Sequence, residues 1–170
     1  AEQKGRRLVV EGSPLERPAE IVRAGGLSVD VDQDIPRGKK AGKFDVAVVI
    51  GNSDYSARCV PAVEFAGNDA AIMLEYLVQT LGFERENIVY EANAGFAKFN
   101  EIFGGPGNPQ SSKLYNWIDR KGRSEVFVYY VGHGAPDLNS GDAYFVPVDA
   151  NPQYISASGY SLEAFYGNLA

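Results

Sequence analysis

At 170 residues, with 45% hydrophobic and 22% charged residues, the chain suits one globular domain with a sizeable core and room for a tail. A net charge of −6 excludes the basic footprint that nucleic-acid binding requires, and no apolar run approaches the roughly 18 residues of a membrane helix. Neither nucleic acid nor a membrane is therefore expected as a partner. Cys59 is the one cysteine, which rules out an intrachain disulfide and leaves the compartment open between cytoplasm and export.

Residues 1–43 carry Arg6-Arg7, Lys39-Lys40, several glycines and prolines, and only short apolar patches. That composition predicts a peripheral extension or arm, to which Leu8-Val9-Val10 could add an edge strand. Residues 44–170 are periodic and predict the domain proper. Val46 to Ile50, closed by Gly51-Asn52, predicts a buried strand and its turn. A polar loop from Ser53 to Pro61 holds Arg58 and Cys59. Met73, Leu77 and Leu81 at helical spacing predict a helix over 68–81, opened by Asn68 and Asp69 and stopped by Gly82.

Ile88-Val89-Tyr90 predicts the second strand. Phe96, Phe99 and Phe103 predict a second helix, broken by the Gly/Pro-rich stretch 104–109. Ser111 or Ser112 caps a further predicted helix carrying Leu114, Trp117, Ile118 and Lys121, with Gly122 ending it. Val126 to Val131 reads as a third strand, buried on both faces. Ala143 to Val148 reads as a short extended piece, and Ser161 to Leu169 as a helix. Strands alternating with helices predict right-handed crossovers and a mainly parallel sheet.

The third strand runs straight into Gly132-His133-Gly134, and His133 is the only histidine. It falls just past the carboxyl end of a strand, where ligands bind in open α/β sheets. Flanking glycines would let a substrate backbone approach, so His133 is a candidate acid/base; an idle loop histidine is the plain alternative.

Four stretches in order resemble the caspase-like cysteine peptidases, in particular bacterial caspase homologues and metacaspases. They are Ala47 to Asn52 with Tyr55 close behind, Asn68-Asp69-Ala70, Tyr129 to Gly134, and Tyr144 to Asp149. The resemblance covers about residues 44–170. It implies a three-layer α/β/α sandwich around a mainly parallel sheet, cut short before the strand that carries the nucleophile. It implies a Cys–His dyad in which His133 is the imidazole and the Gly134 backbone N–H helps form the oxyanion hole.

In caspases the cysteine follows the histidine by roughly 50 residues, and no cysteine lies between His133 and Ala170. The resemblance therefore implies a nucleophile outside this chain, in a C-terminal portion that would be its partner, and an isolated fragment without activity. Cys59 sits in a loop that does not supply the family's principal nucleophile, and the second-cysteine position of some metacaspases is Ala66 here. Asp69 matches the metacaspase aspartate that lines a pocket for Arg or Lys at P1; the other reading is a helix-capping carboxylate.

Asp142 and Asp149 read as solvated or turn-forming residues. No metal and no cofactor are expected, and the expected substrate is a peptide or protein. The alternative function is a catalytically inactive caspase-like fold used as an interaction or signalling module. A flavodoxin-like binding domain is disfavoured because Gly51-Asn52-Ser53-Asp54 lacks the glycine spacing of a phosphate loop.

Overall fold

A computed structural model describes residues 34–170; the predicted edge strand at Leu8-Val9-Val10 lies outside them. Three strands, β1 (Val46–Gly51), β2 (Ile88–Ala92) and β3 (Val126–Val131), form a parallel sheet in the order β2-β1-β3. The chain leaves β1 through α1 (Ala66–Gln79) to β2, then returns past β1 through α2 (Phe96–Phe103) and α3 (Lys113–Trp117) to β3. Reversing the direction of travel across the sheet, with one handedness of crossover, moves the connecting helices to the other face. The side chains follow that rule. Ala47 and Val49 meet Ala70, Leu74 and Leu77 of α1 on one face. Val46, Val48 and Ile50 meet Phe99, Ile102 and Phe103 of α2 and Leu114 of α3 on the other.

The expectation that Val126–Val131 is buried on both faces is corrected. All six residues of β1 are buried, whereas Val126 is exposed and the rest of β3 is half-buried. An apolar run does not reveal its place in the strand order. Here β1 takes the centre, and β3 is an edge strand among the described residues.

Beyond β3 the chain builds a second, antiparallel sheet that periodicity did not indicate. It comprises β4 (Gly134–Pro136), β5 (Ala143–Phe145) and β6 (Tyr160–Ser161), in the order β4-β5-β6. Only 143–145 of the predicted extended piece is strand. A short helix α4 (Ile155–Ser158) precedes β6, and α5 (Leu162–Leu169) follows it, capped by the Ser161 hydroxyl. Phe165 of α5 and Tyr160 close the aromatic cluster over α2, in which Phe99 stacks on Phe145 and Tyr160.

Several helix bounds also differ from expectation. The third helix ends at Trp117 rather than near Lys121, because Asp119 turns the chain by accepting from Lys121 N–H and pairing with Arg123. Its cap is Ser112, which accepts from Tyr115 N–H, and not Ser111. Helix α1 begins at Ala66, two residues before Asn68, with Phe65 at its N-cap position and no cap from its own side chain.

The end of α1 explains where residues 36–43 go. Gly38 N–H donates to Gln79 C=O at 3.0 Å, and Ala41 N–H to Gly82 C=O at 3.1 Å. Gly82 takes φ +72 and leaves no room for a Cβ against Lys39 and Lys40. The last part of the predicted extension is thus tied to the domain.

Candidate active site

The strand order switches at β1, with β2 on one side and β3 on the other. The carboxyl ends of β1 and β3 therefore open on the crevice where an α/β sheet accommodates a ligand. Four loops meet there: 52–65 after β1, 93–95 after β2, 132–133 after β3, and 146–150 after β5.

Asn52, the residue after β1, is completely buried and joins three of them. Its Oδ1 accepts from Ala94 N–H at 2.7 Å, and its Nδ2 donates to Ala94 C=O and Val146 C=O, each at 3.2 Å. Asn93 adds a second brace: in the left-handed conformation (φ 57), its Oδ1 accepts from both Ser53 N–H and Asp54 N–H. The Ser53 hydroxyl then accepts from Gly67 N–H at 3.0 Å, so a residue fourteen positions upstream satisfies the opening turn of α1.

His133 is half-buried in this crevice. Its backbone N–H donates to Tyr55 Oη at 2.9 Å, and its C=O accepts from Tyr130 Oη at 2.7 Å and Val146 N–H at 3.0 Å. The imidazole lies 4.9 Å from the Tyr55 ring, and Nε2 is 2.8 Å from Pro61 C=O. A carbonyl can only accept, so Nε2 carries a proton, and in the neutral ring the lone pair is at Nδ1. The imidazole is therefore set as a base at Nδ1.

The two glycines beside it act differently. A Cβ on Gly132 would lie 2.6 Å from Tyr130 Oη and 2.8 Å from Tyr55 Oη, so its missing side chain makes room for two phenols and not for a substrate. Gly134 is exposed, and a Cβ there would meet only Tyr144 C=O, at 3.7 Å. His133 C=O accepts from Val146 N–H and Asp137 N–H donates to Asp142 C=O. Gly134, paired with Phe145, therefore takes a non-hydrogen-bonded position of the ladder. Its N–H points away from β5.

Asp69 is exposed in the first turn of α1. Its negative charge adds to burial in raising the Tyr129 phenol above its usual range, which sets Asp69 close to the carboxyl half of β3. The capping work at this terminus falls to Ser53, and Asp69 complements the helix dipole. Asp149 Oδ1 accepts from Phe96 N–H at 2.8 Å and so caps α2, while Asp142 closes the β4–β5 hairpin through its C=O and Asp137 N–H. Cys59 and Arg58 are exposed, and no hydrogen bond joins Cys59 to His133 among the described residues. Among those residues no group of three or more His, Cys, Asp or Glu is arranged to hold a metal, and no helix is long and apolar enough to cross a membrane.

Sequence reading did not single out Tyr130 or the Pro61 carbonyl, and it took Asn52 as a turn residue. A phenol inside an apolar strand, three residues before the sole histidine, was a readable signal for Tyr130. A backbone carbonyl leaves none. No protein-family model matches the chain, and no curated protein matches it.

Proposed function

We propose that residues 44–170 form the histidine-bearing part of a caspase-like cysteine endopeptidase domain, with a three-layer α/β/α architecture. His133 takes the proton from a thiol at Nδ1 and returns it to the leaving amine, and the Gly134 N–H stabilises the oxyanion. The observation that carries this reading is the His133 Nε2–Pro61 contact, which leaves Nδ1 basic at the carboxyl end of a parallel sheet.

The nucleophile in this proposal is a cysteine outside these 170 residues. A strand added parallel to the outer edge of β3 would bring its carboxyl end to the same crevice. Asp69, an exposed carboxylate on the same side, gives a preference for Arg or Lys at P1.

The test is a panel of fluorogenic peptides on the longer polypeptide. Cleavage after Arg or Lys is expected, abolished by His133→Ala, and the 170-residue chain alone is expected to be inactive. Preferential cleavage after Asp would overturn the specificity. Turnover by the 170-residue chain that depends on Cys59 would overturn the assignment of the nucleophile.

A second reading is an inactive caspase-like fold serving as an interaction module. A parent polypeptide without a cysteine after the next strand would favour it.

A further inference from the structure

We infer that Tyr55 and Tyr130 are positioning residues that clamp the His133 peptide from both sides and so fix which imidazole nitrogen is basic. Three points of contact define the clamp. Tyr55 Oη accepts the His133 N–H at 2.9 Å, Tyr130 Oη donates to the His133 C=O at 2.7 Å, and the Tyr55 ring lies 4.9 Å from the imidazole. Both hydroxyls crowd the space above Gly132, within 2.8 Å of where a Cβ would sit. The peptide at 133 therefore has little freedom to rotate, and the imidazole it carries keeps its reach to Pro61 C=O.

Each tyrosine is itself held. The Tyr55 ring packs against the small apolar cluster of Tyr144, Val146, Ala150 and Ile155. Tyr130 packs between Phe99 and Phe145, and its hydroxyl also reaches Val146 C=O at 3.2 Å. Burial first, and the neighbouring Tyr55 hydroxyl second, push the Tyr130 phenol well above its usual range, so it stays neutral and remains a donor. Clamp and imidazole thus form one rigid unit, and the unit rests on the apolar cores of both sheets.

The clamp acts on tautomer selection. Loosening the His133 peptide lengthens the Nε2–Pro61 bond and lets the proton redistribute between the two nitrogens, as in a histidine free in water. Its importance for catalysis rests on the peptidase reading above; the positioning of the ring does not.

Because His133 is the only histidine, a long-range proton–nitrogen NMR correlation reads its two ring nitrogens without ambiguity. The wild-type chain should show predominantly the Nε2–H form. Tyr55→Phe keeps the ring and removes the hydroxyl, and should lower the ratio of Nε2–H to Nδ1–H by about fivefold, the equivalent of one hydrogen bond. Tyr130→Phe should shift it less, because Val146 N–H still holds the His133 C=O. Tyr154→Phe, which removes an exposed phenol, should leave it unchanged.

A folded Tyr55→Phe chain with the wild-type ratio overturns the inference, as does a wild-type chain in the Nδ1–H form. Should Tyr55→Phe not fold, amide exchange of wild-type His133 decides: protection supports the clamp, and exchange at the unfolded-chain rate overturns it. The two proposals fail separately. A parent polypeptide lacking the cysteine sinks the peptidase reading and leaves the tautomer result standing. Unchanged kcat in a Tyr55→Phe peptidase with an unchanged tautomer ratio sinks the clamp alone.

Discussion

At the carboxyl end of the parallel sheet, the loops are joined chiefly by neutral hydrogen bonds to and from buried or half-buried Asn52, Tyr55 and Tyr130, with Asp149 adding one charged cap on Phe96 N–H. At the amino end, charge does much of the work. Arg123 pairs with Asp119 at 2.8 Å and lies 3.9 Å over the Phe44 ring, Lys40 pairs with Glu84 at 2.6 Å, and the Asp45 carboxylate accepts from Gly42 N–H and Glu125 N–H. Neutral bonds shielded from water keep their geometry across salt and moderate pH. Exposed ion pairs are weak and screened, which suits an end that only has to stay closed. The two ends are thus held by different physics.

The comparison can be broken most directly at Asn52. Asn52→Ala strands the Ala94 N–H in the interior and takes one of two donors from each of the Ala94 and Val146 carbonyls, and should cost about 3 kcal/mol in denaturant unfolding, with no dependence on salt. A loss that shrinks in high salt would contradict the neutral character of this end. Gly132→Ala forces a methyl against two phenols and should cost about 2 kcal/mol while scrambling the His133 tautomer. An unchanged melting temperature would show that the two hydroxyls move aside freely.

Alkali and acid should also act through different groups. Burial pushes Tyr160, whose hydroxyl donates to Gly104 C=O, up to about 12 from a usual 10, and Tyr130 rises for the same reason. A phenol raised in the folded state stabilises it fully below pH 10, and that contribution is lost as pH rises through the folded value. Unfolding by alkali should therefore coincide with tyrosinate absorbance appearing, and Tyr160→Phe should weaken that coincidence. Ser53→Ala removes the hydroxyl that closes the first turn of α1, and should cost about 1 kcal/mol.

The smallest effect belongs to the amino end. The Arg123 guanidinium holds Asp119 down at about 2 from a usual 3.8, so the pair's contribution is present above pH 3.8 and lost as pH falls through about 2. Arg123→Ala should lower the melting temperature slightly at pH 6 in low salt, and not at all in high salt. A loss of equal size in both would mean that the stacking on Phe44, rather than the ion pair, is what Arg123 contributes.

How much of this was legible in the sequence depends on the kind of signal. Apolar runs and helical spacing marked β1, β2, β3, α1 and α2, because side-chain periodicity is a local property of the chain. Strand order was not local. Val126–Val131 looked as buried as Val46–Ile50, and only the pairing with β1 on one side made it an edge among the described residues. The antiparallel sheet of β4, β5 and β6 was missed because its strands are two or three residues long, too short to show alternation. At the site, position past a strand end made His133 a candidate, while Gly134 was named only through the family resemblance. Tyr130 was hidden by its own apolar ring, which serves the core while its hydroxyl serves the histidine peptide.

The sequence by itself determined an alternating α/β chain, three strands with their helices, and a single imidazole at the carboxyl end of one of them. Only the tertiary structure decided which nitrogen of that imidazole is basic, since the Pro61 carbonyl reaches it across 72 positions of chain. The same holds for the clamp, where Tyr55 bonds the His133 N–H from 78 positions away. Periodicity is written within each segment. A hydrogen bond between distant segments exists only once packing has brought their ends together.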